Sequence, residues 1–393
     1  MASKLAIVVA ARSALRSSVM HVLVAVLACD HLCAQWTARA EPIDLALTCP
    51  QFASVVDLVN ADNTGATDTA PALQAAIDSG LSLRFPEGTY KINASLEFAS
   101  SNAEYCFGGS KFVSDNRITF FRIDGSNLVL RDFEIDALCL PVDTYAMRIN
   151  KGSKNVSLIR GVVRDIANDE PVGSQYGLLV DLDSTHGTLV DHCVFENISQ
   201  VEDNTSTNHF CAAIYFATAS DAITSATNAV VRDCVVAEVY SPVVASSVSN
   251  ADGIRFSGIP GDPESLQLDV VLEGNTFLNC QKRTMKVSHV GGVRIIGNHV
   301  IDDRTDVDGQ AAIEILGESR DISVDDLSVV GNYNTAVWIQ SATNVMLNDI
   351  RCQYGNTVSS GVVGLGVRIE PFPTNSGWVF EDISVTDHCV TWG

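Results

Sequence analysis

The amino-acid sequence predicts an all-β fold, a right-handed parallel β-helix (a solenoid of stacked coils) that runs from about residue 50 to the C-terminus. Three observations predict it. A short apolar pattern repeats along the chain, a second alternating segment lies between the copies, and almost no segment after residue 85 has helical periodicity. Of the 393 residues, 46% are hydrophobic and only 18% are charged, which excludes a disordered chain.

The first repeat reads apolar, any, apolar, any, turn residue, any, any, apolar, and then often Asn or Asp. The copy that begins at Leu128 places Asp132 at the turn and Asp136 after the apolar Ile135. The spacing of roughly 22 to 40 residues suits one solenoid coil with loops of variable length. Further copies begin at Val156, Leu189, Val230, Val271, Val293, Ile322, Val345 and Trp378.

The second segment reads small, apolar, variable, apolar, and its period of two predicts a strand with one buried and one exposed face. Stacked in register, these strands form columns. We interpret the column of small residues as an outward strip, and the variable column beside it as a ladder of long side chains, so that together they form a groove for an extended polymer. The segments are Ala146–Ile149, Gly177–Val180, Ala213–Phe216, Gly253–Phe256, Thr284–Val287, Ala312–Ile315, Ala336–Ile339 and Gly366–Ile369. The ladder is Arg148, Leu179, Tyr215, Arg255, Lys286, Glu314, Trp338 and Arg368.

The entry to the solenoid has a different pattern. Thr67 or Asp68 can cap a helix over residues 70–78, and Gly80 can end it. A strand and turn follow over residues 83–90. Because a solenoid exposes its terminal apolar layer, we expect this N-terminal helix to act as a cap. The predicted organisation is a single β-helix domain over residues 41–393, with its cap at about residues 50–90.

The first 40 residues form a separate segment. Lys4, Arg12 and Arg16 precede an apolar run over residues 19–29, and a small-x-small site follows at residues 38–40. This order is typical of a secretory signal peptide, and the run is too short for a transmembrane helix. The segment is therefore predicted to be a signal peptide or, alternatively, an N-terminal anchor into an assembly such as a virion.

Three stretches near the N-terminus resemble the opening of the pectate-lyase-like superfamily of β-helix proteins. They are residues 65–70 (GATDTA), 73–78 (LQAAID) and 85–90 (FPEGTY). The resemblance implies a β-helix polysaccharide lyase, epimerase, glycosidase or phage tailspike. Residues 250–254 (NADGI) resemble the first catalytic motif of polygalacturonase-type hydrolases, but Gln281-Lys282-Arg283 stand where that family has paired aspartates. The sequence contains neither the complete catalytic set of the polygalacturonase-type hydrolases nor the motif of the alginate epimerases. The resemblance therefore does not identify the reaction.

The formal net charge of −22 argues against nucleic acid and anionic lipid as partners. No cysteine or histidine spacing predicts zinc, and no cofactor motif is present. Calcium is the one ion we consider, because Asp302, Asp303, Asp306 and Asp308 lie close together in sequence. Cys193, Cys234 and Cys352 fall at apolar positions of the repeat, which predicts buried thiols.

The densest polar constellation lies on three successive coils, and it supports two catalytic hypotheses. Its residues are Asp252 and Arg255, then Lys282, Arg283 and Lys286 with His289 beyond, then Glu314. In a lyase, Lys282 or Lys286 would be the base that takes the C5 proton of a uronate. Arg255 and Arg283 would hold the carboxylate of that uronate.

In a hydrolase, Asp252 and Glu314 would be the carboxyl pair, at roughly 9.6 Å from the spacing of two strands. A third hypothesis is a non-enzymatic glycan binder that uses Tyr215, Trp338 and the ladder, including Arg368. A plain ion-pair ladder is the competing structural interpretation, and His192 and His209 are interpreted as surface or turn residues.

The sequence as a whole predicts an extracellular or periplasmic protein that cleaves an acidic polysaccharide, with a lyase ahead of a hydrolase. The alternative is a phage tailspike on the virion tail that binds host glycan, with or without depolymerase activity. Such spikes are often homotrimers, so light scattering would separate these two hypotheses. Neither hypothesis includes a stable membrane insertion.

Overall fold

The computed structural model describes residues 52–167, 173–200, 210–218, 228–240, 250–258, 267–304, 310–354, 365–370 and 377–387. By packing, the chain divides into Met1–Pro50 and Gln51–Gly393, and every described residue belongs to the second unit. The predicted signal peptide or anchor lies outside the described residues. None of the helices in these ranges combines the length and apolar character needed to cross a membrane.

The described residues contain 29 strands and two short helices, as expected for an all-β fold. The first strands are β1 (Ala53–Ser54), β2 (Thr64–Asp68), β3 (Leu83–Arg84), β4 (Thr89–Lys91), β5 (Leu96–Phe98), β6 (Glu104–Val113), β7 (Phe121–Ile123), β8 (Ser126–Leu140), β9 (Tyr145–Ile149), β10 (Lys154–Ile159), β11 (Val162–Ile166), β12 (Gln175–Asp181), β13 (Leu189–Asp191) and β14 (Val194–Ser199). The others are β15 (Phe210–Ala217), β16 (Val230–Arg232), β17 (Val235–Tyr240), β18 (Asn250–Ser257), β19 (Gln267–Glu273), β20 (Thr276–Cys280), β21 (Arg283–Ser288), β22 (Gly291–Ile296), β23 (His299–Asp302), β24 (Ala311–Leu316), β25 (Ser319–Gly331), β26 (Thr335–Ile339), β27 (Ala342–Tyr354), β28 (Leu365–Ile369) and β29 (Val379–Asp387).

Ten of these strands stack into one parallel sheet, here called the front sheet, in the order β5-β7-β9-β12-β15-β18-β21-β24-β26-β28. Its last eight members contain the eight alternating segments found in the sequence, and their predicted mutual register is confirmed. Ile214 pairs with Ile254 and Ile313 with Val337, so one coil takes between 24 and 40 residues. The sequence interpretation missed β5 and β7.

The remaining 19 strands form the rear sheet, which wraps around the core in two columns. One column runs through β10, β13, β16, β19 and β22, and the other through β11, β14, β17, β20 and β23. Both columns pair with the long strands β8 and β25. The chain therefore runs once through the front sheet and twice through the rear sheet in each coil, which is the predicted parallel β-helix with its right-handed crossovers.

The turn positions of the first repeat take the left-handed backbone conformation. Asp132 and Asp233, which occupy this position on two of the coils, have φ values of 62° and 52°. Asn and Asp tolerate this region better than other residues with a side chain. Backbone geometry therefore explains the aspartates at the turn position of the repeat.

Two helices precede the first full coils: α1 (Val55–Val59), which the sequence interpretation missed, and α2 (Ala70–Ile77). Helix α2 was predicted over residues 70–78. Its N-cap is Thr69 rather than Thr67 or Asp68, although the Asp68 carboxylate accepts from the backbone N–H of Ala70 at 3.1 Å. The amide of Gly80 (φ 72°) donates to the carbonyl of Ile77 at 3.1 Å, which agrees with the predicted end. The role of α2 as a cap for the solenoid stays a prediction.

The column of small residues lies inside the solenoid, so its interpretation as an outward strip was wrong. Ala146, Ala213, Thr284 and Ala312 are fully buried. A Cβ added to Gly253, in the same column, would lie 3.0 Å from the sulfur of Cys280. Only a small side chain fits at this position against the core. Within the described residues, the small residues of the front-sheet strands therefore form no external strip beside the ladder.

The predicted buried thiols are confirmed. Cys193, Cys234 and Cys352 are 3% exposed or less. Cys193 and Cys234 occupy equivalent positions on successive coils, and the backbone N–H of Cys193 donates to the sulfur of Cys234 at 3.4 Å. Burial of this kind makes them part of the core rather than of any site.

Candidate functional site

The predicted ladder of long side chains is present on the outer face of the front sheet. Tyr215, Arg255, Lys286 and Glu314 occupy the same position on β15, β18, β21 and β24. Trp338 and Arg368 continue the column on β26 and β28. A second matched position, three residues earlier in each strand, holds Asp252 and Arg283 side by side. The structure thus brings the main predicted constellation together.

A buried ion triad lies at the centre of this constellation. The Nη1 of Arg283 contacts the Oδ1 of Asp252 at 3.1 Å, and its Nε contacts the Oε2 of Glu314 at 2.6 Å. The exposed fractions are 0% for Asp252, 4% for Arg283 and 2% for Glu314. One guanidinium therefore joins both carboxylates of the hydrolase hypothesis, below the surface that a polymer could touch.

Two glutamines extend the triad. The Nη2 of Arg283 donates to the Oε1 of Gln310 at 3.2 Å, and the Nε2 of Gln340 donates to the Oε1 of Glu314 at 2.5 Å. These two hydrogen bonds and the two salt bridges of Arg283 partly offset the cost of burying the three charges. The triad is therefore a rigid base for the groups above it.

Arg255 lies above the triad and is held on three sides. Its Nη1 contacts the Oδ2 of Asp252 at 3.1 Å and its Nε donates to the Oγ of Ser257 at 3.3 Å. Its guanidinium carbon lies 3.8 Å from the ring centroid of Phe210, which is a cation–π contact. The Arg255 side chain is 13% exposed, so part of the guanidinium remains open to a ligand.

The electrostatics follow from this packing. Burial would raise the pKa of Asp252, but Arg283 and Arg255, followed by Lys286 and Lys282, outweigh it, so the pKa lies below its ordinary value. Asp252 is therefore ionised throughout the neutral range and acts as the shared counter-ion of both arginines.

Lys286 differs from the other charged groups of the site. It is half-buried, and no ion pair to it occurs within the described ranges. Burial, followed by repulsion from Arg283 and Arg255, lowers its pKa from the ordinary 10.5 to about 8, although Asp252 and Glu314 act in the opposite direction. Near neutral pH a fraction of this amine is unprotonated, as a general base requires.

Aromatic rings border the charged centre on its N-terminal side. The centroids of Tyr176 and Tyr215 are 4.8 Å apart, and Phe210 lies 5.4 Å from each of them. Tyr215 and Phe210 are half-buried, whereas Tyr176 is 5% exposed. On the C-terminal side, Arg368 stacks over Trp338 at 4.4 Å. Rings in this position can receive the apolar face of a sugar.

Two other predicted residues, Lys282 and His289, lie on either side of β21. Lys282 is half-buried just before β21. His289 lies just after β21, its Nδ1 is 2.8 Å from the Oγ of Ser288, and burial lowers its pKa. Asp302, considered for calcium, is fully buried and bound to the Nε and Nη2 of Arg304 at 2.9 and 3.0 Å. Asp306, Asp308 and His209 lie outside the described residues.

One group in the described part of the chain has the ligand atoms of a metal site. Oxygen or nitrogen atoms of Asp191, His192 and Asp233 lie within 4.8 Å of one another. The Asp191 carboxylate already accepts from the Nε and Nη2 of Arg232 at 2.9 and 3.3 Å. His192 is a turn residue with a φ of 53°, as the sequence interpretation had it. The cluster is a surface ion pair, and we assign it no metal.

Sequence reasoning missed several side chains that shape the site. Phe210, Gln310 and Gln340 lie at strand ends or just outside the strands, where the repeat gives no signal. Tyr176 occupies the position of Asp252 and Arg283 two or more coils earlier, so the in-register columns could have identified it.

No protein-family model matches the sequence, and no curated protein matches it. Solved structures do match its fold. One is an endo-xylogalacturonan hydrolase from Aspergillus tubingensis, with a TM-score of 0.56, 13% identity, and coverage of 83% of this chain and 91% of that one. Another is a PL6 alginate lyase in complex with a trisaccharide, with a TM-score of 0.52, 11% identity and 85% coverage of both chains.

A third is the tailspike protein of Escherichia coli bacteriophage HK620 in complex with a pentasaccharide. Its TM-score is 0.50 at 11% identity, and the match covers 83% of this chain and 66% of the tailspike, just under two thirds of its length. At these identities the similarity establishes the fold alone. It confirms the right-handed parallel β-helix that the N-terminal motifs implied.

Proposed function

We propose that the protein is an extracellular carbohydrate-active protein that cleaves an acidic polysaccharide by β-elimination on the outer face of the front sheet. The observation that carries the proposal is the state of Lys286. It is an amine with a pKa of about 8, and it lies beside two arginines, Arg255 and Arg283, that are themselves paired with carboxylates. Perturbed titratable groups of this kind concentrate at catalytic sites.

The reaction assigns one role to each group. Arg255 holds the uronate carboxylate and withdraws charge from it, which acidifies the C5 proton. The neutral amine of Lys286 takes that proton, the C5 electron pair forms the C4–C5 double bond, and the C4–O4 bond breaks. The leaving oxygen keeps the bonding electrons and takes a proton from solvent.

Arg283 positions the site rather than binding substrate. Its Nε, Nη1 and Nη2 contact Glu314, Asp252 and Gln310, and the residue is 4% exposed. It fixes Asp252, which in turn holds Arg255, and its charge helps to lower the pKa of Lys286. A cation that does not contact the substrate can in this way lower the pKa of the catalytic base.

The hydrolase alternative has less support from the geometry. An inverting hydrolase separates its carboxyls by roughly 6.5–9.5 Å and keeps a water between one of them and the sugar. Asp252 and Glu314 both contact Arg283, and both are buried. The burial and ion pairing of both carboxylates therefore favour the lyase over the hydrolase.

A glycan-binding spike without cleavage is the second candidate, because the rings of Phe210, Tyr215 and Trp338 can bind sugar without chemistry. In that case a homotrimer on a virion tail, as in tailspikes, is the expected assembly. Light scattering of the purified protein would give the mass of three chains for this candidate and of one chain for a secreted enzyme.

The test of the lyase proposal is the ultraviolet absorbance of unsaturated uronate ends during incubation with a panel of acidic polysaccharides, with and without calcium. Activity should be lost in Lys286→Ala and Arg255→Ala and kept in Lys154→Ala, an exposed lysine on β10 of the rear sheet. New reducing ends without absorbance would instead support hydrolysis. Binding without either signal would support the spike.

A further inference from the structure

The charge along the outer column is concentrated at one place. Four cations and two carboxylates meet at the centre of the site: Arg255, Lys282, Arg283, Lys286, Asp252 and Glu314. Farther along the column the described charges are neutralised in pairs. Arg148 binds Asp181 at 3.0 Å, and Arg368 binds Glu370 at 3.0 Å. The site therefore offers a local positive charge within a chain of net charge −22.

The two ladder positions on the N-terminal side of Arg255 are uncharged. Tyr215 is its register neighbour, and Leu179 is one strand farther. Both are half-buried, so they present apolar surface to the outside. From strand spacing, Tyr215 lies roughly 9.6 Å along the stack from Lys286.

The contact between Arg255 and Phe210 makes the ring cluster continuous with the charged centre. The guanidinium lies 3.8 Å from Phe210 and 5.9 Å from the ring of Tyr215. A polymer that lies along the stack with a carboxylate at Arg255 places the neighbouring unit on the N-terminal side against these rings. Many of the other large rings in the described chain, such as Phe85 and Phe112, are fully buried in the core.

We infer that Tyr215 and Phe210, supported by Tyr176, form a stacking subsite for a neutral sugar ring, so that the substrate is a heteropolysaccharide whose uronates are separated by neutral sugars. The inference rests on the proposed function for the position of the uronate. A neutral ring presents an apolar C–H face that matches an aromatic surface. In a homopolymer of uronates, the carboxylate on the next ring would meet Tyr215 and Leu179 without a counter-ion, and burying it there is costly.

The experiment measures binding and cleavage separately for matched polymers. Polygalacturonate is compared with a rhamnogalacturonan backbone, in which galacturonate alternates with rhamnose, and polyglucuronate with hyaluronan, in which glucuronate alternates with an N-acetylhexosamine. Affinity electrophoresis gives Kd, and ultraviolet absorbance gives lyase activity. We expect one heteropolymer to bind roughly tenfold more tightly than its matched homopolymer, and Tyr215→Leu to remove that preference.

Two further variants make the result specific to a ring contact. Tyr215→Phe keeps the ring and should keep the preference. Phe380→Leu removes an exposed ring (39% exposed) from β29 of the rear sheet and should change nothing.

The outcomes separate this inference from the proposed function. A Tyr215-dependent preference without absorbance supports the subsite and overturns the lyase. Equal or better cleavage of a homopolymer supports the lyase and overturns the subsite. Failure of both heteropolymers to bind, or a preference that survives Tyr215→Leu, also overturns the subsite.

Discussion

Replacing Asp252 by asparagine is expected to lower the free energy of unfolding by about 3–5 kcal/mol, because the buried guanidinium of Arg283 and the largely buried one of Arg255 would lose their shared counter-ion. Asp252 is 0% exposed, and the side chains of Arg283 and Arg255 are 5% and 13% exposed. Both contacts measure 3.1 Å. Asparagine keeps the volume of the side chain, so the loss is electrostatic rather than a cavity effect.

The assay is urea unfolding at pH 7, followed by circular dichroism, with the midpoint and slope fitted together. Asp326→Asn is the matched control, since its partner Arg351 and Asp326 itself are 54% and 48% exposed. An exposed pair of this kind contributes about 0–1 kcal/mol. A loss in Asp252→Asn no larger than in the control would refute the account of a buried, energetically coupled triad.

The pH dependence of this difference has a definite sign. Despite burial, which opposes it, the arginines hold the pKa of Asp252 below its ordinary 3.8 in the folded protein. The stabilisation is therefore fully present above pH 3.8 and is lost as the pH falls through the lower, folded-state pKa. The difference in the free energy of unfolding between wild type and Asp252→Asn should stay constant from neutral pH down to about 4 and should decrease below pH 4.

Three further predictions concern the same face. If Lys286 is the base, the initial rate should rise about tenfold between pH 7 and pH 9, following a pKa of about 8, and Lys286→Arg should abolish activity. Folding lowers that pKa from 10.5 to about 8, which corresponds to about 3 kcal/mol at pH 7. Because Lys286 is partly exposed and solvent screens the effect, Lys286→Met should stabilise the protein by about 1–2 kcal/mol in urea unfolding, and this gain should vanish above pH 10.5. Gly253→Ala should cost about 1–3 kcal/mol in thermal unfolding, because its Cβ would lie 2.6 Å from the carbonyl oxygen of Thr284.

The register of the front sheet could be predicted from the sequence because burial makes it unambiguous. A slip of one residue in β18 would turn Ile254 outward and Arg255 inward, and every coil repeats this penalty. The strands β5 and β7 escaped notice because each has only three residues, Leu96–Phe98 and Phe121–Ile123. Three residues are too few to establish an alternation.

Alternation alone could not predict whether the column of small residues faces the core or the solvent. Ala146 and Met147 are consecutive, and both are fully buried. The period of two therefore fails at the small residue of the strand. The column of small residues indicates close packing against the core, and its interpretation as an accessible strip was wrong.

Register alone also could not predict which charges would pair. Lys286 and Glu314 are direct neighbours across β21 and β24, so a simple ladder would join them. Glu314 instead contacts Arg283 and accepts from Gln340. The choice depends on side-chain direction and on Gln340, whose amide lies just beyond β26.

This pairing is the strongest physical argument that the face does more than stabilise the solenoid. The core of each coil packs against its neighbours whatever the outer column contains, so outer positions can carry groups that are costly to bury. A ladder selected for stability would give Lys286 a carboxylate partner and keep its pKa near the ordinary 10.5. Instead, Asp252 and Glu314 are both held by Arg283, and Lys286 remains with a pKa of about 8. Burying a lysine without a carboxylate partner destabilises the folded state, and such a destabilisation is typical of a residue that is retained for catalysis or binding.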